Sequence, residues 1–284
     1  MALTTSRSQL VGRVFFLGFI VLVYIFLLTP LVVVVIASFD SAEILSFPIE
    51  GFSLQWYRKF LSAEGVWLDS IVLSLKIAVL ATIISTTLGT AVSLYVVRFA
   101  GKWRESLRIF IILPLLLPEI LTAIALLIFY YNIEGFFNAM GVPLLSGVFR
   151  HSFFGLLVGH VLITLPFVFL GISGSLYNFD MSLEEASRNL GGGRFITFWR
   201  ITLPIVKPGI IAGALLALII SYDLFAISYL LKPIGTATLP IQLFDYVRWE
   251  FDPTAAAVST VSIVFTLVVL IITERLVGLR ALRF

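Results

Sequence analysis

Four ionisable residues, Lys76, Glu119, His160 and Asp223, lie within stretches of the chain that are otherwise apolar. An ionisable side chain at membrane depth is costly and by default marks a functional site. If Glu119 and Asp223 face one cavity, their carboxylates favour an organic cation or amine, and Tyr222 and His160 join the same candidate substrate pathway. The alternatives stay open: an acid pairs with Lys76 or with a partner subunit, and His160 only hydrogen-bonds a neighbouring helix.

The sequence lacks the patterns by which most catalytic and nucleotide-binding sites are recognised. It has no cysteine, no H-E-x-x-H and no G-x-S-x-G, and its only Gly-Lys pair, Gly101-Lys102, is followed by Trp103 rather than Ser or Thr. A membrane-embedded enzyme would need acids, bases or metal ligands clustered at one interface, and the sequence shows no such cluster. We therefore predict a chain that is not an enzyme and binds no cofactor or metal of its own.

The composition identifies the solvent in which the chain folds. Of its 284 residues, 60% are hydrophobic and 12% are charged, about half the roughly 25% charge of a soluble domain, and the mean hydropathy is +1.09. So few charges cannot cover the surface of a soluble protein of this size. This excludes a typical cytosolic enzyme, a disordered chain and a nucleic-acid binder, and it predicts an all-α polytopic protein in contact with membrane lipid.

Six apolar stretches are long enough to cross a bilayer as helices, which takes about 20 residues each. They lie at about 14–39, 71–97, 109–131, 152–177, 209–231 and 254–273, within a single transmembrane domain of residues 1–284. Pro30 is expected to bend the first span, and Pro114, Pro118 and Glu119 interrupt the third. An even number of spans leaves both termini on one side of the membrane.

The basic residues predict which side that is, because lysine and arginine accumulate in cytoplasmic loops. Five bases lie in the loops of the opposite side, and 13 lie at the termini and in the second and fourth loops. Those 13 are Arg7, Arg13, Arg98, Lys102, Arg104, Arg108, Arg188, Arg194, Arg200, Lys207, Arg275, Arg280 and Arg283. We expect both termini to face the cytoplasm.

The fourth loop, residues 178–208, is long and mixes charge with apolar bulk. Ser182 and Glu185 have the spacing of a capping box, which predicts a short helix through Leu190. Three glycines from Gly191 then end that helix, and a second apolar stretch follows up to Pro204. An aromatic surface in such a loop packs either on a partner or on the chain's own helices, and the residues alone leave both readings open.

The same loop resembles the E-A-A-x3-G-x9-I-x-L-P motif of the permease subunits of ABC importers. Six of the seven motif positions match and the third has serine in place of the usual alanine; the seven residues are Glu185, Ala186, Ser187, Gly191, Ile201, Leu203 and Pro204. The resemblance implies a cytoplasmic coupling helix, between the fourth and fifth spans, that sits in a groove of a separate ATPase subunit. It also implies that ATP is bound by that partner and not by this chain.

Beyond this loop, nearly the whole chain resembles the second permease of spermidine/putrescine-type importers. The resemblance rests on four segments: Leu117–Ile120, Thr164–Phe167, Ser221–Asp223 and Thr238–Ile241. Such permeases tend to carry acids at the positions of Glu119 and Asp223. The resemblance implies polyamine or related cationic substrates, although similar permeases import opine-like compounds, phosphonates or ferric iron.

The assembly implied by this resemblance lies in a bacterial inner membrane. It contains a second permease subunit as a heterodimeric partner, two copies of the ATPase, and a periplasmic or extracellular solute-binding protein. A stand-alone secondary transporter or a channel is the alternative, and it would need no ATPase. The sequence therefore predicts a transport subunit of an importer for a small solute.

Overall fold

The computed structural model describes residues 7–44, 48–62, 66–142 and 147–277, without the side chains of residues 7–11 and 277. Arg280 and Arg283, which contribute to the charge count, lie outside the described residues, as does the side chain of Arg7. Every long regular element within the described residues is a helix, which confirms the all-α class.

The described residues form twelve α-helices. They are α1 (Arg7–Ala37), α2 (Gln55–Ser62), α3 (Val66–Arg98), α4 (Arg104–Leu116), α5 (Glu119–Ala139), α6 (Phe153–Tyr177), α7 (Ser182–Asn189), α8 (Arg194–Thr197), α9 (Leu203–Tyr222), α10 (Phe225–Leu231), α11 (Leu239–Trp249) and α12 (Thr254–Val277). Among these residues, six helical stretches are long and apolar enough to cross a membrane, as the sequence predicted. They are Gly12–Ala37, Val66–Arg98, Glu119–Ala139, Phe153–Tyr177, Arg194–Tyr222 and Thr254–Leu276.

The third span differs from the expected 109–131, because the helix breaks before it begins. Leu117 is extended, with φ −92° and ψ 143°, and it ends α4. The ring of Pro118 disfavours the helical conformation at the residue that precedes it, and α5 starts afresh at Glu119. The spanning helix is therefore Glu119–Ala139, with Glu119 in its first turn rather than near its middle.

The fifth span also differs from the expected 209–231. Its helix α9 starts at Leu203 with Pro204 in the first turn, where a proline costs no hydrogen bond, and Pro208 lies inside the helix. It ends at Tyr222, and Leu224 is extended with ψ 99° before α10 begins. Asp223 consequently lies at a break between two helices, and the folded loop merges into the span.

The chain divides into two compact units, of which the larger comprises residues 65–245 and 265–284. Its centre is the mutual packing of α3, α6 and α9. The last two approach closely at glycines: a Cβ added at Gly171 would lie 2.9 Å from the carbonyl oxygen of Gly209, and one added at Gly213 would lie 2.8 Å from the Cα of Val168. Gly209 and Gly213, four residues apart in α9, thus allow this close helix packing.

The smaller unit comprises residues 1–64 and 246–264. Within it, Asp40 and Phe52 form an isolated antiparallel bridge, and the indole N–H of Trp56 donates to the carbonyl oxygen of Asp40 at 2.7 Å. Lys59 of α2 forms an ion pair with Asp252. The Trp56 bond holds α2 on the segment that follows the first span, and the ion pair holds it on the segment before α12.

Candidate functional site

The segment that carries the motif is almost entirely helical. It contains α7, a turn at residues 190–193, α8, a π-helical turn over Phe198–Thr202 and the start of α9. The expected short helix is therefore present, but its N-terminal cap differs from the expected capping box. Met181 occupies the cap position, and Asp180 accepts the backbone N–H of Ser182 at 2.9 Å. Hydrogen bonds from the side chain and backbone of Ser182 hold the pKa of Asp180 below its ordinary value.

Glycine is required at two places in the turn after α7. Gly191 has a φ of +84°, in the left-handed region where L-residues with a Cβ are strained. At Gly192 an added Cβ would lie 2.6 Å from the Oγ of Ser187 and 2.8 Å from its carbonyl oxygen. Ser187 itself hydrogen-bonds Thr197, with 2.9 Å between the two hydroxyl oxygens. The serine that departs from the family pattern thus ties α7 to α8.

A buried acid in the first turn of α7 anchors the segment. Glu184 is only 3% exposed, and its Oε1 lies 2.6 Å from Nη2 of Arg98, the last residue of α3. The hydroxyl of Thr202 donates to the same carboxylate, and Nη2 of Arg188 lies 3.8 Å from Oε2. The carboxylate of Glu184 thus contacts both arginines, and its closer contact joins the segment to the end of a spanning helix.

The motif residues lie around this anchor at different depths. Ser187, Ile201 and Leu203 are half-buried, whereas Glu185, Ala186, Gly191 and Pro204 are exposed. The large apolar side chains that follow point outward, and we call Leu190, Phe195, Ile196 and Trp199 the apolar coupling surface. Their exposed fractions are 89%, 76%, 50% and 53%. A rigid segment with such a surface is suited to docking.

His160 is buried inside the larger unit and does not line an open cavity. Its ring nitrogens lie 2.7 Å from the Oγ of Ser221, at the end of α9, and 3.0 Å from the Oγ of Ser228, in α10. The histidine thereby joins the two helices on either side of the break at Asp223. This geometry matches the alternative reading of His160, a hydrogen-bonding role between helices.

The other pathway candidates divide into exposed acids and a buried tyrosine. Glu119 and Asp223 are exposed, each at a helix break, and neither carboxylate has a partner within the described part of the chain. Tyr222 is 5% exposed, and its ring centroid lies 4.5 Å from that of Phe265. The structure brings His160 next to Ser221, close in sequence to Tyr222 and Asp223, and records no direct contact between Glu119 and Asp223.

A second buried acid, Glu134, lies within α5, beyond residue 131 where the sequence predicted the third span to end. It is 2% exposed, and its Oε1 accepts the backbone N–H groups of Phe149 and Arg150 at 3.1 and 2.9 Å. Its Oε2 lies 3.2 Å from Nε of Arg150. Glu134 therefore fixes the loop that leads into α6.

Six helices long and apolar enough to span a membrane, with a folded helical segment between the fourth and fifth, form the arrangement of a transport permease. Residues 85–279 match the family described as the inner membrane component of binding-protein-dependent transport systems. The chain belongs to this family and is a membrane-embedded permease component of an ABC importer. This confirms the family inferred from the motif and the prediction of a transport subunit rather than an enzyme.

Two curated relatives are polyamine permeases of Escherichia coli (strain K12). The spermidine/putrescine transport system permease protein PotC is 29% identical over 267 residues, which cover 93% of this chain and 94% of PotC. The putrescine transport system permease protein PotI is 32% identical over 239 residues, which cover 84% of this chain and 81% of PotI. A chain of a bacterial ABC transporter involved in alginate import shares the fold, with a TM-score of 0.70 at 14% identity and coverage of 96% and 99%.

Proposed function

We propose that this chain forms one half of the translocation pathway of an ATP-driven importer, paired with a different permease subunit. Two ATPase subunits supply the energy, and a periplasmic or extracellular binding protein delivers the solute. The observation that carries the proposal is the apolar coupling surface, because it is exposed on residues 182–204, here called the coupling segment, which Glu184 and Arg98 hold rigidly against a spanning helix. The ATPase docks on this surface, and its motion is transmitted through the ion pair to α3.

The proposed orientation follows from the same ion pair. It joins the end of the second span to the segment after the fourth, so the basic residues of the second and fourth loops belong to one side of the membrane. That side is cytoplasmic by the positive-inside rule. With six spans, both termini are cytoplasmic as well.

The proposed solute is a polyamine or a related organic cation, as the names of PotC and PotI suggest. Glu119 and Asp223 supply negative charge at two helix breaks, where exposed carboxylates remain available to an ammonium group. Tyr222 and His160 are buried, and in this proposal they hold the Asp223 segment in place rather than contact the solute.

The test is ATP-dependent uptake by the reconstituted assembly. The full chain is incorporated into proteoliposomes with the second permease, the ATPase and the binding protein encoded beside it, and labelled putrescine is followed. We expect uptake that requires ATP and is abolished by Gly191→Pro or Glu185→Lys. Uptake by this chain alone without ATP would favour a stand-alone transporter, and ATP-driven uptake of an anionic solute but not putrescine would contradict the proposed substrate class.

A further inference from the structure

A recess of about 590 Å³ opens in the larger unit, far from the segment that carries the motif. Its walls are the first two turns of α3, the turn after α10 and the first turns of α11. The 33 residues of α3 rise about 50 Å, more than the roughly 30 Å of the hydrocarbon core. Since Arg98 ends α3 beside the coupling segment, the recess lies at the opposite face of the membrane.

Charged groups line this recess without pairing with one another. Asp69 of α3 and Asp245 of α11 both contribute to its walls, as does Lys232. Within the described residues neither carboxylate has an ion-pair partner, and the ammonium group of Lys232 donates instead to the carbonyl oxygen of Thr236 at 2.7 Å. Two acids against one base leave the recess with a net negative charge.

The hydroxyl of a largely buried serine independently indicates that the recess accepts a polar ligand. Ser70 is 3% exposed and lines the recess, and within the described part of the chain its Oγ takes part in no hydrogen bond. One turn further along α3, the equivalent hydroxyl of Ser74 does accept a bond, from the backbone N–H of Leu239 at 2.8 Å. The Ser70 Oγ is not one of the fully enclosed unpaired atoms of the described residues, so it reaches the recess and keeps its hydrogen-bonding capacity for a ligand.

We propose that this recess is an entry site for an organic ammonium compound, filled before the solute reaches the pathway acids. One ammonium group lies between Asp69 and Asp245 and receives the Ser70 hydroxyl as an acceptor. The amide oxygen of Gln242 completes its surroundings, and the side chains of Val66 and Leu73 contact the alkyl chain. The inference deepens the proposed function and rests on its assignment of a cationic solute.

The test measures binding of labelled putrescine to the full-length chain in lipid nanodiscs, without ATPase or binding protein. We expect Asp69→Asn and Asp245→Asn each to weaken binding about fivefold, the scale of one solvent-accessible charge pair. Lys232→Gln should tighten binding by a similar factor, because it removes a competing cation but keeps a donor for the carbonyl oxygen of Thr236. If these residues had a merely structural role, the acid variants and the Lys232 variant would not change putrescine affinity in opposite directions.

Controls separate the recess from the rest of the molecule. Glu105→Gln removes an exposed carboxylate on α4, outside the recess, and should leave putrescine affinity unchanged. Butylamine should compete with putrescine, whereas 1,4-butanediol and succinate should not. Because Asp69 and Asp245 are exposed, their asparagine variants should retain the wild-type elution profile in gel filtration.

The outcomes distinguish this inference from the proposed function. No binding to the wild-type chain, or equal affinity for wild type and both asparagine variants, overturns the recess as a site. If the assembled transporter still imports putrescine with ATP, the proposed function survives that result. If the wild-type assembly does not import putrescine with ATP, the proposed function fails, whatever the recess binds.

Discussion

Arg98 ends the helix α3, and Glu184 lies in the first turn of α7, yet their charged groups are 2.6 Å apart. The guanidinium carbon of Arg98 also lies 5.2 Å from the ring centroid of Phe179. With side-chain exposures of 15% and 4%, the pair is largely withdrawn from water. The coupling segment is thus attached to a spanning helix by a buried charge pair rather than by apolar packing alone.

Breaking this pair should release the segment. In Arg98→Leu, Glu184 keeps its buried charge but loses its main partner, and such a loss costs about 3–5 kcal/mol. We expect the backbone amides of residues 182–204 to exchange hydrogen faster, while those of the spanning helix α6 keep their protection. Hydrogen exchange of the full chain in nanodiscs, read by mass spectrometry, measures both.

Two variants sharpen this test. Arg98→Leu combined with Glu184→Leu should recover most of the protection, because no unpaired charge remains. Glu185→Gln, at the exposed neighbouring acid, should leave exchange of the segment unchanged. In a third variant, Glu184→Gln, we expect a loss of protection that Glu185→Gln does not show. An equal loss in the two glutamine variants would contradict the distinction between an anchoring and an exposed acid.

The glycine turn offers a graded series. Gly191→Ala places a Cβ at positive φ, at a cost of roughly 1–2 kcal/mol, and Gly192→Ala forces the added atom against the backbone carbonyl of Ser187. At Gly193 the φ is −64° and an added Cβ meets open space. We expect faster backbone amide hydrogen exchange at residues 187–197 in the first two variants and no change in Gly193→Ala. Faster exchange in Gly193→Ala than in the other two variants would contradict the assigned turn geometry.

The number and approximate place of the spans follow from composition, because about 20 consecutive apolar residues have few alternatives to a membrane helix. The glycine turn was also predictable, since its conformation depends on local residue types. The helix breaks were harder to place. Pro118 ends α4 at the preceding residue by local sterics, whereas the break at Asp223 has no proline or glycine beside it.

The anchor of the coupling segment could not be read from the sequence for a different reason. Arg98 and Glu184 are brought together only by the packing of α3 against α6 and α9. Glu184 and Glu185 are adjacent in the short helix and carry the same charge, so residue type alone does not distinguish the buried acid from the exposed one. The same holds for Glu134, whose partners become visible only after α5 and the loop before α6 are placed.

His160 should prove structural. His160→Ala leaves a cavity and removes the partner of Ser221, and we expect a loss of about 2–4 kcal/mol in the free energy of unfolding. His160→Gln retains a donor and an acceptor and should recover part of this loss. Thermal unfolding of the purified chain in detergent measures the change, and an unaltered midpoint in His160→Ala would show that the two serine contacts contribute little.

The exposed acids at the helix breaks should govern solute affinity. Asp223→Asn and Glu119→Gln remove negative charge without disturbing a recorded contact, so we expect a rise of several-fold in the KM of putrescine uptake, with little change in thermal stability. Asp223→Glu keeps the charge and should retain most of the affinity. Uptake kinetics of the reconstituted assembly decide this, and unchanged KM values in both neutral variants would exclude these acids from the pathway.

In the smaller unit, the pair Lys59–Asp252 predicts a pH range of stability. The hydrogen bond that Lys59 donates to Asp252 raises the pKa of Lys59 above 10.5. Burial alone would raise the pKa of Asp252, but hydrogen bonds from Lys59 and Thr254 hold it below 3.8. Because folding lowers the pKa of Asp252, its contribution to stability is lost as the pH falls through the pKa of Asp252 in the folded protein. Because folding raises the pKa of Lys59, its contribution is lost as the pH rises through the pKa of Lys59 in the folded protein.

The contribution of the pair should therefore be constant from about pH 5 to about pH 9 and decline only outside this range. Since the side chain of Lys59 is 49% exposed, the pair contributes less than about 1 kcal/mol. We expect protection factors of α2, corrected for intrinsic exchange, to stay level from pH 5 to 9 and to fall near pH 3. Asp252→Asn should lower them throughout and remove this acid-side decline, whereas Glu250→Gln should reproduce the wild-type profile. A decline between pH 6 and 8 would show that another group controls this region.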